Sequence, residues 1–249
     1  MKSSVLIVGL GEVGKPLMEV IEDHFEVVGI DIEPVEFHGD CEVLHICIPF
    51  QIHDFVGACA AYINKYQPRL TVINSTVAPG TTRAVFEKTG LAIAYSPVRG
   101  KHNKMKQELL QYTKFVGGIN PESSQSAAEH FQSVGMNTKI LSSPESVELA
   151  KLTETTYFGI LIAWAQEVER YCDQLSLNYD EIVSYYEEIK YLPPVRYFPG
   201  VIGGHCVMPN IDILKTIFES DILTGIQKSN EAKKCRDVTR DELAGDAIR

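Results

Sequence analysis

From Met1 to Ser143, short apolar runs alternate with stretches of helical period. Val5–Val8 is apolar throughout, as expected of a strand covered on both faces. An amphipathic helix follows with Val13, Leu17, Val20 and Ile21 on one side, and Val27-Val28-Gly29-Ile30 is a second strand ending in Asp31. The stretch Glu42–Pro49 is the next buried strand, and the chain reaches it quickly. The intervening residues in extended form span roughly 30 Å, enough to return along a sheet without a crossover helix. His45 and Cys47 alternate with apolar neighbours there and are expected in the core or on a sheet face. Helices at His53–Tyr66 and Glu122–Ser133, strands at Leu70–Asn74, Leu91–Tyr95, Lys114–Gly118 and Thr138–Leu141, and a helix start at Pro79–Thr82 complete the alternation.

The character changes at Ser142-Ser143-Pro144. Glu145–Leu175 lacks proline and any strand signal and predicts one long helix, with Val147, Ala150, Leu161, Trp164, Val168, Tyr171 and Leu175 on its apolar faces. Glu148, Lys151 and Thr155 share a face of it, by helical spacing. Helices are expected at Asp180–Ile189 and Ile211–Cys235, and the charged end Asp237–Arg249 is expected to fray.

Candidate chemistry gives this pattern a class. Between the first strand and its helix lies Gly9-Leu10-Gly11-Glu12-Val13-Gly14, a G-x-G-x-x-G run in its required strand–turn–helix setting. Gly9 permits the tight turn, Gly11 the approach of a pyrophosphate and Gly14 close helix packing; the anion would sit at the helix N-terminus. A carboxylate at Asp31 suits ribose hydroxyls and repels a 2′-phosphate, so NAD is favoured over NADP. The expected architecture is therefore α/β: an N-terminal Rossmann-type doubly wound parallel sheet over 1–143, then a mostly helical domain over 144–249 built on the long central helix. Ile48, Pro49, Ser75 and Thr76 fall at strand ends on the sheet's carboxyl edge, where such folds bind ligands, and are expected to line the cofactor. Ser96–Lys104 is a basic loop, either solvated or facing an anionic substrate. Phe198–Asn210 carries one cysteine, Cys206, behind the glycines Gly203 and Gly204; near a helix start, it would sit in a field that favours a thiolate. Read by itself, it is more readily a buried structural cysteine than a reactive one.

Composition narrows the partners. The chain has an ordinary globular composition, 45% hydrophobic and 22% charged. Its net charge of -10 argues against nucleic acid and anionic membranes. No apolar run reaches the roughly 18 residues of a membrane span, and the N-terminus is no secretory leader, which points to the cytoplasm. The six cysteines and seven histidines show no metal spacing, so no metal is expected.

Taken together, these stretches resemble the UDP-glucose/GDP-mannose dehydrogenase family. Gly9–Gly14 is similar to its opening glycine motif, Ser75-Thr76-Val77 with Gly80-Thr81-Thr82 to its S-T-V-x-x-G-T-T segment, Ser96-Pro97-Val98-Arg99 to S-P-E-R, Glu148–Leu152 to E-x-x-K-L, and Gly203–Cys206 to G-G-H-C. The resemblance implies NAD-dependent oxidation of the C6 alcohol of a sugar or nucleotide sugar, in the service of nucleotide-sugar metabolism and polysaccharide biosynthesis. It makes Cys206 the nucleophile, Lys151 the donor to the oxyanion and Thr76 the holder of a water or substrate oxygen. Thr155 and Asn210 stand at two further catalytic positions, and Arg99, Lys104, Gly203 and Gly204 at substrate-binding ones. It also implies cofactor contacts from Glu12 and Val13 within the glycine turn, and a homodimer through the long helix 145–175. Four positions depart from the family: Val98 replaces the glutamate of S-P-E-R, Thr155 an asparagine, Asn210 an aspartate, and Pro209 a lysine of some members. The chain ends where the family's C-terminal nucleotide-sugar domain is expected, reading as a truncated member. A two-electron dehydrogenase of the 6-phosphogluconate or hydroxyacid type, and a non-catalytic NAD-binding relative, are the alternatives.

Overall fold

The alternation of apolar side chains along the strands sets up two cores. Val5 and Ile7 of β1 (Ser4–Val8) face one layer and Leu6 and Val8 the other, because successive side chains leave opposite faces of a strand. The computed structural model describes residues 4–31, 35, 37, 39–100, 104–188, 190, 197–204 and 206–246. It divides into two compact units, Met1–Lys151 and Leu152–Arg249.

The first unit is a seven-stranded sheet in the order β2-β1-β3-β4-β5-β6-β7, with β2 (Glu26–Ile30), β3 (Cys41–Ile46), β4 (Leu70–Ile73), β5 (Ile93–Tyr95), β6 (Lys114–Gly118) and β7 (Thr138–Ile140). Helices α1 (Gly14–Ile21), α4 (Met105–Gln111) and α5 (Pro121–Ser133) cover the face of Val5 and Ile7. Helices α2 (Phe55–Tyr66) and α3 (Thr81–Thr89) cover the other. The sheet is parallel except where β6 runs antiparallel to β5. There α4, a seven-residue helix absent from the sequence reading, returns the chain to the edge it left, so the next strand must run backwards. Part of the β2–β3 crossover, residues 32–34, 36 and 38, lies outside the described residues, and the described ones there form no helix.

A polar chain crosses the first core. Asn74 Nδ2 donates to His45 Nδ1 at 3.1 Å, which leaves the His45 proton on Nε2, 2.9 Å from His130 Nε2. Lys114 Nζ donates to Asn74 Oδ1 at 3.2 Å, Ser96 O at 2.7 Å and Pro97 O at 3.1 Å. The directions agree only if both histidines are neutral. Burial holds His130 down at about 4, and burial, then the neighbouring His130 and Lys114, holds His45 well below its ordinary value. Burial likewise pulls Lys114 down to about 7. A base depressed on folding adds stability above its unfolded pKa and loses it as pH falls through the folded value. Stability is thus expected to fall between pH 6.5 and 4. His130→Gln, which keeps an acceptor for His45 but does not titrate, is expected to shrink that fall by about 3 kcal/mol in urea titrations.

Helix α6 (Pro144–Leu175) begins in the first unit with Glu148, which is 0% exposed. Its carboxylate accepts from Gly80 N–H at 2.7 Å, Thr82 N–H at 2.9 Å and Thr82 Oγ1 at 2.6 Å, capping the start of α3 from a distance in sequence. Burial raises its pKa against those bonds. Glu148→Ala strands three donors and is expected to cost about 3 kcal/mol in chemical denaturation.

The second unit holds the rest of α6 with α7 (Tyr179–Ser184), α8 (Val207–Lys215) and α9 (Asp221–Asp246). The single helix expected over Ile211–Cys235 is two. Thr216–Ser220 breaks it, and the Ser220 hydroxyl accepts the Leu223 N–H at 3.3 Å at the new start. Gly159 lets α8 lie against α6: a Cβ there would stand 2.7 Å from Val207 Cγ1. Among the described residues no helix is long and apolar enough to cross a membrane, and no group of three His, Cys, Asp or Glu could hold a metal ion.

Candidate functional site

The candidate cofactor residues of the first unit lie at or just beyond the carboxyl ends of β1, β2, β3 and β4. Gly9 has φ +90, a region costly for other residues, and its N–H donates to Ile30 O at 2.8 Å. Gly14 begins α1 pressed on the turn, since a Cβ there would lie 1.8 Å from Gly9 O. A Cβ on Gly11, by contrast, would meet nothing within 4 Å. Glu12 is exposed, Val13 is half-buried, and no side chain caps the first turn of α1. Asp31 is exposed at the end of β2. A tight turn, an open glycine, an uncapped helix start and an exposed carboxylate fit a dinucleotide, with room for phosphate over Gly11.

Ser75 is buried, and its hydroxyl donates to Ile48 O at 2.6 Å, tying the ends of β3 and β4 together. Pro49 is exposed and Thr76 half-buried beside it. Arg99 is held over the rings of Phe115 and Tyr112, 5.5 and 5.9 Å from their centroids, and Lys104 is exposed at the start of α4. Residues 101–103 of the basic loop lie outside the described residues. Val98 belongs to the core. Lys151 is half-buried on α6.

In the second unit the thiol is exposed at a helix start. Cys206 is the N-cap of α8 and makes no side-chain cap, and Gly204 ahead of it has φ +76. A Cβ on Gly203 or Gly204 would meet nothing within 4 Å, so the backbone there is open to a ligand. His205 lies outside the described residues. Pro209 falls in the first turn of α8, where proline is tolerated. Asn210 is buried and donates through Nδ2 to Thr155 Oγ1 at 2.7 Å, which in turn donates to Leu152 O at 3.0 Å. Two departures from the family pattern therefore meet in one hydrogen bond. Burial pushes the thiols of Cys41, Cys47 and Cys59 up to about 12, so they stay protonated.

Sequence reasoning missed Asn74, Lys114 and His130 of the buried chain, and Gln166 and Asn230 of the second unit. A charged residue opening the otherwise apolar Lys114–Gly118 strand was the one available signal. The amides have none, because a buried and an exposed Asn look alike in a sequence.

Residues 145–232 match the model of the central domain of the UDP-glucose/GDP-mannose dehydrogenase family. UDP-N-acetyl-D-mannosamine dehydrogenase of Methanococcus vannielii is 26% identical to the chain, over 82% of this chain and 59% of that protein. The chain thus spans about 59% of that relative's length. Among solved structures, the native UDP-N-acetyl-mannosamine dehydrogenase of Staphylococcus aureus superposes with a TM-score of 0.83 at 18% identity, covering 99% of this chain and 72% of that one. The 3-hydroxyisobutyrate dehydrogenase of Mycobacterium tuberculosis does so with a TM-score of 0.72 at 13% identity, covering 96% and 94%. These likenesses establish the Rossmann-type fold with its long central helix.

Proposed function

We infer that this chain, a member of the UDP-glucose/GDP-mannose dehydrogenase family, is an NAD-dependent oxidoreductase that oxidises the primary alcohol of a nucleotide sugar. The observation that carries this reading is Cys206, exposed at the start of α8 behind an open glycine pair. NAD would be held by the turn Gly9–Gly14, with Asp31 on its ribose and Ile48, Pro49, Ser75 and Thr76 along the strand ends; bound there, it supplies the hydride acceptor.

The chain's own residues then have separable tasks. Once the alcohol has lost a hydride to one NAD and a proton to solvent, the Cys206 thiolate would add through Sγ to the aldehyde carbon, giving a thiohemiacetal; loss of a second hydride, to a second NAD, and of the hydroxyl proton would make this a thioester. Water releases the acid and restores the thiol. The covalent step splits one hard oxidation into easier ones. Lys151 stabilises the oxyanion with its fixed charge, and Thr76 holds a water or substrate oxygen. By the family resemblance, Arg99 and Lys104 supply positive charge for an anionic substrate and Gly203 and Gly204 leave backbone room for it, while the Asn210–Thr155 hydrogen bond ties α8 to α6. The exposed aromatic side chains of α6, Tyr157, Phe158 and Trp164 among them, support pairing of two copies through that helix.

The named substrate of several relatives makes UDP-N-acetyl-D-mannosamine the first compound to test, ahead of UDP-glucose. The test is NADH absorbance across UDP-sugars, simple sugars and hydroxy acids, with Lys151→Ala alongside. Turnover of a UDP-sugar that Lys151→Ala lowers by about 10²-fold or more supports the reading. Turnover of hydroxy acids alone sinks it.

A second reading has its own support. Val98 is buried and the Asn210–Thr155 pair is neutral, where the family resemblance places carboxylates at 98 and 210. Loss of a general base typically costs about 10²–10⁴-fold. A simpler two-electron oxidation, with Lys151 central and Cys206 incidental, fits those substitutions.

A further inference from the structure

Two fully buried amides grip the backbone ahead of Cys206. Asn230 of α9 is 0% exposed; its Oδ1 accepts the Ile202 N–H at 2.7 Å and its Nδ2 donates to Ile202 O at 3.0 Å. This is the pair of bonds that a neighbouring strand would make. Gln166 of α6 is also 0% exposed and donates through Nε2 to Gly200 O at 2.7 Å, while its Oε1 accepts from Ser229 Oγ at 2.9 Å. The Gln166 and Asn230 side chains lie 3.5 Å apart. Ion pairs brace the two helices that carry them, Lys233 to Glu169 at 2.9 Å and Arg236 to Glu169 at 3.1 Å.

On the far side of the thiol, Val207 packs on Gly159 and Asn210 is bonded to Thr155. The chain between Ile202 and Val207 is therefore tied at both ends. Between the ties stand Gly203 and Gly204, the residue type with the most backbone freedom to lose. Fixing the two ends removes most of that freedom from the segment that presents Sγ. Burying two amides is costly unless their polar atoms are bonded, and here the bonds go to the backbone of this loop.

We propose that Gln166 and Asn230 are positioning residues for the Cys206 thiol, acting through the backbone of Gly200–Ile202. The consequence for turnover rests on Cys206 being the nucleophile; the geometric claim does not need turnover.

The test uses the full chain with Gln166→Met and Asn230→Ala. Two quantities are measured: the rate of iodoacetamide alkylation at Cys206, separated from the exposed Cys235 by peptide mass spectrometry, and kcat and KM for NADH formation. The alkylation rate is expected to change by at least about threefold, and kcat to fall by about 10²-fold with the KM for NAD little altered, as misplacement of a reacting group predicts. A purely structural role would lower the melting temperature and leave both quantities alone. Folded variants with wild-type alkylation and kcat overturn the proposal. Should Asn230→Ala fail to fold, Gln166→Met decides, since it keeps the volume and removes only the amide's polar atoms. If the wild type oxidises nothing, the dehydrogenase reading falls, and the alkylation rates alone still uphold or overturn the positioning.

Discussion

Cys206→Ser is expected to lower formation of the carboxylate product by at least about 10³-fold, the scale seen when a covalent nucleophile is removed. The first oxidation does not need the thiol, so aldehyde should form with one NADH per substrate. Equilibrium binding of NAD should be unchanged, because the residues proposed to hold it are those of the glycine turn, Asp31 and the strand ends, and serine keeps the shape of cysteine. The measurements are product analysis by mass spectrometry and NAD titration by fluorescence. Serine conserves shape and hydrogen bonding, so the loss reports on sulfur chemistry. An unchanged carboxylate yield would move Cys206 back to a structural role.

The second large effect is expected at Gly14. A Cβ there would stand 1.8 Å from Gly9 O, 3.0 Å from Gly9 C and 3.2 Å from Cys47 Cβ, and two of these are backbone atoms that cannot rotate away. Gly14→Val must either open the turn or push α1 off the sheet, exposing Leu17, Val20 and Ile21. Overpacking of this kind costs about 3 kcal/mol or more. NAD affinity should fall at least about tenfold with it, because the helix start moves from its place over the turn. Gly11→Ala is the contrasting variant. Its Cβ would meet no protein atom within 4 Å. Stability should therefore stay within about 0.5 kcal/mol of wild type, as for a surface substitution. The added methyl nevertheless stands where a pyrophosphate approaches, and binding should weaken. Stability by urea titration and affinity by NAD titration separate the two cases. Equal behaviour of the two variants would contradict the account of the turn.

Much of this was legible in the sequence because it depends on local pattern. Val5–Val8, Gly9–Gly14 and Asp31 announce strand, turn and second strand within one short stretch, and the long helix announces itself by the lack of proline and of any strand signal between Glu145 and Leu175. What was not legible depends on partners distant in the chain. The reversal of β6 follows from where α4 delivers the chain, which periodicity does not encode. The capping of α3 by Glu148 spans 66 residues from Thr82, and the His45–His130 contact spans 85. The meeting of Asn210 with Thr155 is of the same kind. Each position reads as a separate departure from the family pattern, and only the packing of α8 on α6 makes them one hydrogen bond. The break between α8 and α9 was missed for a local reason, since Thr216–Ser220 contains neither glycine nor proline.

The central claim is that the chain performs a four-electron oxidation through Cys206. NADH released per molecule of UDP-N-acetyl-D-mannosamine consumed by the wild-type chain tests it most directly, with acid-quenched samples examined for an acyl group on the Cys206 peptide. The account predicts two NADH per substrate and a trapped acyl adduct at Cys206. One NADH per substrate, at a rate that Cys206→Ser leaves unchanged, would contradict it.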